Sequence, residues 1–476
     1  MRSKRVLAST TLLFLALTLV VLFQNTNAPG TPKLFSLMSY DQYLMPVPTW
    51  AAIAQGWAAV SSDCSGPVPR GYKRIFIANR QDGIHGFGLA GNPYDGSTPQ
   101  KFDTILRNYS ESKFANLVVC IGPGTFQTYG TYDWVIDVGH VGGIPLGFTV
   151  NKGWKIHGMA MSQTTLQVAA IYSSNVNSAI STYDDFSSGI EVSDLTIDDN
   201  YPYFKAHGNG AIELNAVTLR SYLGNHWVHN VHVMNASGEL PAPGQPVNPA
   251  EAFPVAIVSV SPTNPPSTDN GNIIESVTMD NWEGKNIWQS GHCTAISVSN
   301  AVATVRNNSV TGHHIGYGGW IMGATTFSNN TATGDAYGFN IDSLANNGVV
   351  IVSNQINPLL YGIVVGGGGQ YSNFVISNNT ITLSSNGGIG FVFQGDVTHA
   401  HLVNNVVNVS GSITGGVGIL ERETNNDYNL NNIFQGNQFD NSLAFTLMNG
   451  AQSCTYGNVN KSNKLVIPNV PGTPCL

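Results

Sequence analysis

A short pattern recurs along this chain from about residue 154 to residue 460. Each copy has an apolar residue, one further residue, a Gly, Asn, Asp or Ser, two more residues and usually another apolar residue, as in Val192–Ile197 (VSDLTI). Neighbouring copies are 21 to 46 residues apart. A period above 20 residues with short β-rich units indicates a solenoid. The copies centre on Gly158, Asp194, Asn230, Ser276, Asn307, Asn329, Asn354, Asn378, Asn404, Gly436 and Gly457.

The central residue of each copy predicts a sharp bend between two strands. Gly adopts a left-handed backbone freely, and Asn and Asp do so more easily than other residues. A third strand follows most bends, at Ala211–Leu214, Ala295–Val298, Gly338–Ile341, Gly362–Val365 and Gly390–Phe393. Three strands per turn, stacked about 4.8 Å apart, make an all-β parallel β-helix. The Asn residues at the bends are expected to form a stacked ladder.

The open N-terminal end of such a coil needs a cap over its unpaired strand edges. Thr98 and Pro99 have the types preferred at the N-cap and first position of a helix. Phe102, Ile105, Leu106 and Tyr109 then fall on one face. We therefore predict an N-terminal helical cap in a capping region 29–115. A β-helix domain with a C-terminal tail follows over 116–476, with residues 116–123 as its first strand.

The first 28 residues are typical of an export signal. Arg2, Lys4 and Arg5 precede an apolar run from Leu12 to Phe23, and Thr26-Asn27-Ala28 is a plausible cleavage site. The run is short for a membrane span, although an uncleaved anchor stays open. We assign 1–28 as a signal peptide and expect a secreted, cell-surface or periplasmic protein without membrane contact after cleavage.

Composition narrows the class of partner. Only 10% of residues are charged and the formal net charge is −8, so there is no basic excess to hold a nucleic acid. Five cysteines in an exported chain permit disulfides. Cys454 and Cys475 could close the tail, and one more pair could form among Cys64, Cys120 and Cys293. Buried free thiols are the alternative, and no oligomeric state is specified.

Several segments together resemble the pectin-lyase-like superfamily: Asp82-Gly83, Asp95–Thr98, Ile121–Phe126 and the Asn-bearing repeats, over residues 72–460. The resemblance implies a right-handed parallel β-helix that acts on polysaccharides. The resemblance does not identify which reaction the chain catalyses. Gly291-His292-Cys293 precedes Asn340-Ile341-Asp342, the reverse of the polygalacturonase order, and the Trp-Ile-Asp-His motif of pectate lyases is absent.

The lengths of the repeats indicate where a binding cleft lies. From Asn307 to Asn404 the repeats are 22 to 26 residues long, whereas between Gly158 and Asn307 they reach 31 to 46. The additional residues must leave the coil as loops, and loops on a rigid scaffold often build binding sites. Segments 198–210, 235–253 and 280–294 each precede a third strand, so we expect one cleft beside them. Outward positions on the third strands change from polar, as at Ser297 and Asn340, to apolar, as at Val364.

Candidate site residues near this cleft fit two reactions. β-Elimination needs a base such as Lys285 or His292 and a cation, and Asp198 and Asp199 are the predicted ligands of a Ca²⁺ ion. Glycoside hydrolysis needs two carboxyls about 5–5.5 Å or about 6.5–9.5 Å apart. The predicted catalytic residues are Glu213, Lys285, His292, Asp335 and Asp342, with Asn215, Glu251, His313, His314 and Asn340 predicted to bind substrate. The hydrolase pairs would be Glu213 with Glu251, or Asp335 with Asp342.

The sequence therefore predicts an extracellular polysaccharide-cleaving enzyme, with a lyase favoured slightly over a glycoside hydrolase. A non-catalytic β-helix surface or adhesion protein is the alternative from another class. His229 and His232, on either side of a bend, are interpreted as a ladder feature or as solvated positions.

Overall fold

The structure is a computed structural model that describes most of the chain after residue 61. The described residues are 62–131, 140–141, 144–145, 147–170, 178–182, 186–206, 215–236, 253–259, 271–280, 294–320, 323–342, 345–366, 370–422, 432–446 and 454–467. All of them belong to one compact unit. The predicted signal peptide 1–28 lies outside them, as do Glu213, Glu251, Lys285 and His292.

Short parallel strands form a coil in which each turn, or rung, contributes three strands. The first and second strands of each rung belong to one large sheet that folds around the bends. The first strands are Lys73–Ala78, Leu117–Ile121, Lys155–His157, Asn272–Glu275, Ala303–Arg306, Thr326–Ser328, Val350–Val352, Val375–Ser377, His401–Val403, Ile433–Gln435 and Cys454–Tyr456. The second strands are Gly124–Thr128, Thr164–Val168, Thr278–Met279, Ser309–Thr311, Thr331–Thr333, Gln355–Asn357, Thr380–Leu383, Val406–Val409, Gln438–Phe439 and Val459–Asn460. Glu191–Asp198 and Trp227–Met234 run through the bend and supply both.

The third strands form a separate sheet of eleven strands in sequence order. They are Thr149–Val150, Ser178–Thr182, Asn215–Ser221, Val255–Ser259, Thr294–Ser299, Ile315–Trp320, Tyr337–Asp342, Tyr361–Val365, Ile389–Gln394, Val417–Arg422 and Ala444–Thr446. Smaller elements are the strands Tyr94–Asp95, His140–Val141, Ile144–Pro145, Ala345–Asn347, Gln370–Ser372 and Asp396–Thr398. The right-handed parallel β-helix is confirmed, and so are four of the five predicted third strands. The fifth, Ala211–Leu214, lies outside the described residues, directly before Asn215–Ser221.

Left-handed residues mark the bends, as the repeat predicts. Asp194, Asn230, Asn307, Asn329 and Asn378 have φ between 50° and 60°, and Ser276, Ser353 and Asn404 fall in the same region. Two positions differ from the prediction: Gly158 does not have a positive φ, and in the rung of Asn354 the left-handed residue is Ser353, not Asn354. The reason for the second difference is that the bend residue and the residue after it have different tasks.

The residue after the bend, not the bend residue, forms the asparagine ladder. Asn307 is exposed, whereas Asn308 is buried. Along the ladder each Nδ2 donates to the Oδ1 of the next asparagine at 2.9–3.0 Å, and a second Nδ2 hydrogen bond goes to a strand carbonyl. Each Oδ1 from the second asparagine onward also accepts a backbone N–H. The ladder comprises Asn308, Asn330, Asn354, Asn379, Asn405, Asn437 and Asn458.

The interior of the coil is apolar and stacked in register. On the third strands Ile296, Tyr317, Phe339, Ile363 and Phe391 follow one another as direct neighbours. Their side chains are almost wholly buried. The rings of Tyr317 and Phe339 stack with centroids 5.0 Å apart. This inward column fixes which alternate residues of the same strands face outward.

The predicted cap helix is present. We name the described helices α1 (Ser62–Ser65), α2 (Pro99–Glu111) and α3 (Tyr201–Ala206). In α2, Thr98 is the N-cap and accepts the Lys101 N–H, Pro99 is the first residue, and Phe102, Ile105 and Leu106 are buried. None of the described helices has the length and apolarity needed to cross a membrane.

The coil begins one rung earlier than predicted. Strand Lys73–Ala78 pairs in parallel with Leu117–Ile121, so residues 116–123 are not its first strand. After the KRIFIA strand, Asn79 is followed by Arg80, Gln81 and Asp82 and not by an apolar residue, which explains why the pattern did not include this strand. A disulfide joins Cys64 in α1 to Cys120 in the next first strand. Cys454 is disulfide-bonded as well.

Candidate functional site

The second strands lead into the third strands at one corner of the coil, and the three long segments leave from this corner. Residues 207–214, 237–252 and 281–293 lie outside the described residues, but each is followed by a described third strand. Asn215–Ser221, Val255–Ser259 and Thr294–Ser299 are direct neighbours in the sheet. The three segments therefore start and end on successive rungs. We name this region, with the described residues Gln167, Asp198, His232, Asn235 and Asp280, the loop corner.

An exposed histidine and aspartate are paired at the loop corner. His232 Nε2 lies 2.7 Å from Asp280 Oδ2, and their side chains are 27% and 62% exposed. Strand pairing explains the contact, because His232 is the neighbour of Thr278 and Asp280 follows two residues later. When Nε2 donates its proton to the carboxylate, the neutral ring keeps its lone pair on Nδ1. A histidine oriented in this way can act as a general base.

Asp198 and Asp280 occupy equivalent outward-facing positions, two rungs apart, at the ends of second strands. The carboxylate of Asp198 accepts hydrogen bonds from three amide N–H groups. Its Oδ1 accepts the Asn200 N–H at 2.9 Å and the Asn235 Nδ2 at 2.7 Å, and its Oδ2 accepts the Gln167 Nε2 at 2.8 Å. These hydrogen bonds fix the turn into α3. Both carboxylate oxygens of Asp198 therefore already accept hydrogen bonds, and these bonds hold the loop corner in place.

Asp199, the second residue of the predicted Ca²⁺ site, has a different environment from Asp198. It is fully buried, and neither carboxylate oxygen has a hydrogen-bond partner among the described residues. Burial, with the nearby charge of Asp198, raises the pKa of Asp199 well above its ordinary value. Ca²⁺ needs ionised oxygens that converge on the ion. The Ca²⁺ site at Asp198 and Asp199 stays a prediction.

Outward residues on the third strands follow the predicted change from polar to apolar. Ser297 and Asn340 flank Gly318 in one row, which continues through Val364, Val392 and Leu420. Val364 and Val392 pack in a small apolar cluster of their own. Asn340 is half-buried, so its role in substrate binding stays a prediction.

Asn215 is a structural residue in this arrangement. It is 1% exposed, and its Oδ1 accepts the Phe253 N–H at 2.6 Å. The hydrogen bond holds the start of its strand against the next rung. This engagement contradicts the prediction that Asn215 contacts substrate. Val217 and Leu219 of the same strand face the core, so alternation places Asn215 on the inner side as well.

Asp335 and Asp342 cannot act as a hydrolytic pair. Strand Tyr337–Asp342 separates them, and its five steps span about 17 Å at 3.3 Å per residue. Asp335 is wholly buried, and burial raises its pKa. Its Oδ1 accepts the His313 N–H at 2.7 Å, which ties together successive turns. Asp342, half-buried at the outward end of the strand, stays a predicted site residue.

The two adjacent histidines have different environments. His313 is 2% exposed and lies behind the turn beside Asp335, so it cannot reach a polysaccharide on the surface. His314 is half-buried, and its ring packs edge-to-face on Tyr337 at 5.2 Å. The prediction of substrate contact is therefore wrong for His313 and stays open to test for His314.

Sequence reasoning missed the His232–Asp280 pair, although a signal for it was present. Aligning the repeat VHNVHV at 228–233 with IESVTM at 274–279 places His232 beside Thr278. Asp280 is then two residues further along the neighbouring strand. The interpretation of His232 as a ladder feature or a solvated position treated each repeat alone and did not compare neighbouring rungs.

The chain is similar to solved β-helix structures at low sequence identity. A tailspike protein variant of E. coli bacteriophage HK620, solved in complex with a pentasaccharide, is 12% identical, with a TM-score of 0.53 over 87% of this chain and 72% of that chain. An exopolygalacturonase from Thermotoga maritima is 8% identical, with a TM-score of 0.47 over 76% of this chain and 88% of that chain. Endopolygalacturonase I from Stereum purpureum is 14% identical, with a TM-score of 0.44 over 76% and 98%. No protein-family model and no curated protein sequence matches the chain. The likeness to the tailspike shows the fold, and the resemblance to the pectin-lyase-like superfamily holds at that level.

Proposed function

On the premise of this fold, we propose that the chain is an extracellular carbohydrate-active protein that cleaves a polysaccharide at the loop corner. β-Elimination from a uronic acid polymer is favoured over hydrolysis. The observation that carries the proposal is the exposed His232–Asp280 pair, 2.7 Å apart, on the rungs from which the long segments leave. The tailspike with the same fold was solved with a pentasaccharide, which supports an oligosaccharide as ligand.

In the proposed reaction His232 is the base and Asp280 is the residue that orients it. His232 Nδ1 takes the proton from C5 of the uronate, and the released electron pair forms the C4–C5 double bond. The C4–O bond breaks, and the glycosidic oxygen leaves as an alcohol after it gains a proton from an acid group. Lys285 and His292, predicted on the segment that follows Asp280, are the proposed source of that proton and of positive charge.

Extracellular location is supported by the chemistry of the cysteines. Disulfides persist in oxidising compartments, and Cys64–Cys120 joins two segments 56 residues apart. This observation agrees with the signal peptide expected over residues 1–28.

Glycoside hydrolysis is the second candidate reaction, and the distance between Asp198 and Asp280 favours it. Asp198 and Asp280 occupy one outward row two rungs apart, which is about 9.6 Å at the strand spacing. The separation is close to the upper end of the range for inverting glycosidases. Neither residue is placed as a proton donor, however, because Asp198 accepts three amide N–H groups and Asp280 accepts from His232.

The test is an assay of the purified protein on neutral and acidic polysaccharides, with Ca²⁺ or with a chelator. New reducing ends and the absorbance of unsaturated uronates are both followed. We expect both signals for wild-type protein and a loss of about 10²–10⁴-fold in kcat for His232→Gln. His401→Gln, on the outer face of a first strand six rungs away, is the matched control and should retain full activity.

Each other outcome overturns part of the proposal. New reducing ends without unsaturated uronates would mean that the protein is a hydrolase. Full activity of His232→Gln would mean that His232 is not the catalytic base. Binding without cleavage of any polymer would establish the adhesion alternative.

A further inference from the structure

A second cluster of titratable side chains lies on the outer face of the first strands, away from the loop corner. Lys155, His157 and Glu191 come from two neighbouring strands, and Asp63 reaches them from α1. Glu191 is the direct neighbour of Lys155, and His157 is the neighbour of Ser193. The proposed cleavage reaction uses none of these groups.

His157 is oriented by a chain of hydrogen bonds. Asn230 Nδ2 donates to Asp194 Oδ1 at 3.1 Å, and the Ser193 hydroxyl donates to Asp194 Oδ2 at 2.8 Å. Since the Ser193 proton is directed at Asp194, Ser193 Oγ accepts the proton of His157 Nδ1, 2.7 Å away. The Nε2 atom of the neutral ring then carries the lone pair. This arrangement is the one in which an outer hydrogen bond fixes a metal-binding histidine.

The Nε2 atom of His157 points into the cluster without a hydrogen bond. The side chain is 2% exposed, and Nε2 has no hydrogen-bond partner among the described residues. It lies 3.5 Å from Asp63 Oδ2 and 3.9 Å from Glu191 Oε1. A buried acceptor that faces two carboxylates is costly unless a proton or a cation lies between them.

The three ligand atoms are close enough to converge on one ion. One atom each from Asp63, His157 and Glu191 lies within 4.8 Å of the others. Zn²⁺ takes imidazole nitrogen and carboxylate oxygen at about 2.0–2.2 Å, so a small inward movement of Asp63 and Glu191 completes three bonds. Ca²⁺ and Mg²⁺ prefer oxygen ligands alone. The single imidazole therefore favours a transition-metal dication.

We propose that Asp63, His157 and Glu191 form a binding site for a divalent transition-metal ion of the Zn²⁺ type. The ion links α1 to the outer face of two first strands, next to the Cys64–Cys120 disulfide. His229 Nε2, 3.1 Å from Glu191 Oε1, holds that carboxylate from the next rung and is a positioning residue.

Lys155 competes with the ion for the same carboxylates. Its Nζ lies 2.7 Å from Asp63 Oδ2 and 3.0 Å from Glu191 Oε2. The side chain is 24% exposed, and its flexible four-carbon stem allows the ammonium group to swing into water when an ion binds. Removing the positive charge of Lys155 should therefore strengthen metal binding. A plain network of ion pairs would not respond in that way.

The first measurement is calorimetric titration of Zn²⁺ and Ca²⁺ into the tag-free, chelator-treated protein at neutral pH. We expect one saturable Zn²⁺ site and no Ca²⁺ binding there. His157→Gln should weaken Zn²⁺ binding by more than about 100-fold, and Ser193→Ala, which removes only the orienting bond, by about tenfold. His401→Gln, also on the outer face of a first strand, should bind as wild type does. Equal Zn²⁺ affinity in wild-type protein and His157→Gln overturns the proposal.

The second measurement uses Lys155→Met, which keeps the length of the side chain and removes its charge. We expect its Zn²⁺ affinity to rise by about tenfold or more, since the competing cation is gone. The variant should unfold at a lower temperature than wild type without metal, and Zn²⁺ but not Ca²⁺ should restore that temperature. Failure of Zn²⁺ to bind more tightly, in a variant with the wild-type circular dichroism spectrum, would identify the cluster as an ion-pair network only.

Discussion

At the scale of single residues, adjacent asparagines in one repeat have separate tasks. Asn378 has φ of 55° and an exposed side chain, so it serves the bend through its backbone. Asn379 is wholly buried and serves the stack through its side chain. Its Nδ2 donates to Ile351 O and to Asn405 Oδ1, both at 2.9 Å, while its Oδ1 accepts from Asn354. The two residues should therefore respond differently to the same substitution.

We expect Asn379→Ala to lower the free energy of unfolding by about 3 kcal/mol, because it leaves several buried partners without hydrogen bonds. Asn378→Ala should cost only about 1–2 kcal/mol, which is the strain of a left-handed alanine. Asn378→Gly, which removes that strain, should cost less than either. Denaturant unfolding of the three variants measures these differences. Equal losses for Asn378→Ala and Asn379→Ala would contradict the separate roles.

At the scale of elements, α2 joins the coil through a buried carboxyl group. Asp103 is fully buried; its Oδ1 accepts the Thr128 hydroxyl at 2.7 Å and its Oδ2 accepts the Tyr129 N–H at 2.8 Å. Burial raises the pKa of Asp103 to about 7, against the lowering effect of these hydrogen bonds and of Arg107. The folded protein therefore keeps the proton of Asp103 over a range in which the unfolded chain has lost it.

This difference makes the attachment of α2 depend on pH. Between about pH 4 and pH 7 the folded state binds more protons than the unfolded state, so the contribution of Asp103 to stability falls as pH rises. We expect the stability of wild type relative to Asp103→Asn to fall by about 3 kcal/mol from pH 4.5 to pH 7.5. Unfolding of both proteins at several pH values measures the change. A difference that does not vary with pH would mean that Asp103 is already ionised in the folded protein.

At the scale of the whole molecule, a coil of stacked rungs is weakest at its ends, because an end rung has a neighbour on one side only. The N-terminal end is strengthened by α2 and by the Cys64–Cys120 disulfide, which links two segments 56 residues apart. Both sulfur atoms lie in a small apolar cluster with Phe76, Val118 and Met159 on the outer face of the first strands. The disulfide thus holds α1 against the coil at the point where the coil begins.

We expect the double variant Cys64→Ala with Cys120→Ala to unfold about 4 kcal/mol more easily, because a cross-link of this length restricts the unfolded chain. The variant is a sharper test than a reductant, since Cys454 is also disulfide-bonded. Thermal unfolding under non-reducing conditions measures the loss. An unchanged midpoint would mean that the coil end is held without the cross-link.

Local sequence patterns were sufficient to predict the strands, bends and cap helix, but they were not sufficient to predict which residues form the candidate site. The bends at Asp194 and Asn378, the third strand at Gly362–Val365 and the N-cap at Thr98 depend on backbone preferences and alternation within a few residues, so the sequence by itself determined them. Aligning neighbouring repeats gives the register between two rungs, as for His232 and Thr278, but side-chain contacts and segments outside the repeat are not encoded in this way. For that reason only the tertiary structure decided that His232 lies 2.7 Å from Asp280 and that Asp63 joins His157 and Glu191. Sequence patterns determine local conformation, whereas a site built across rungs is set by the stacking of the whole coil.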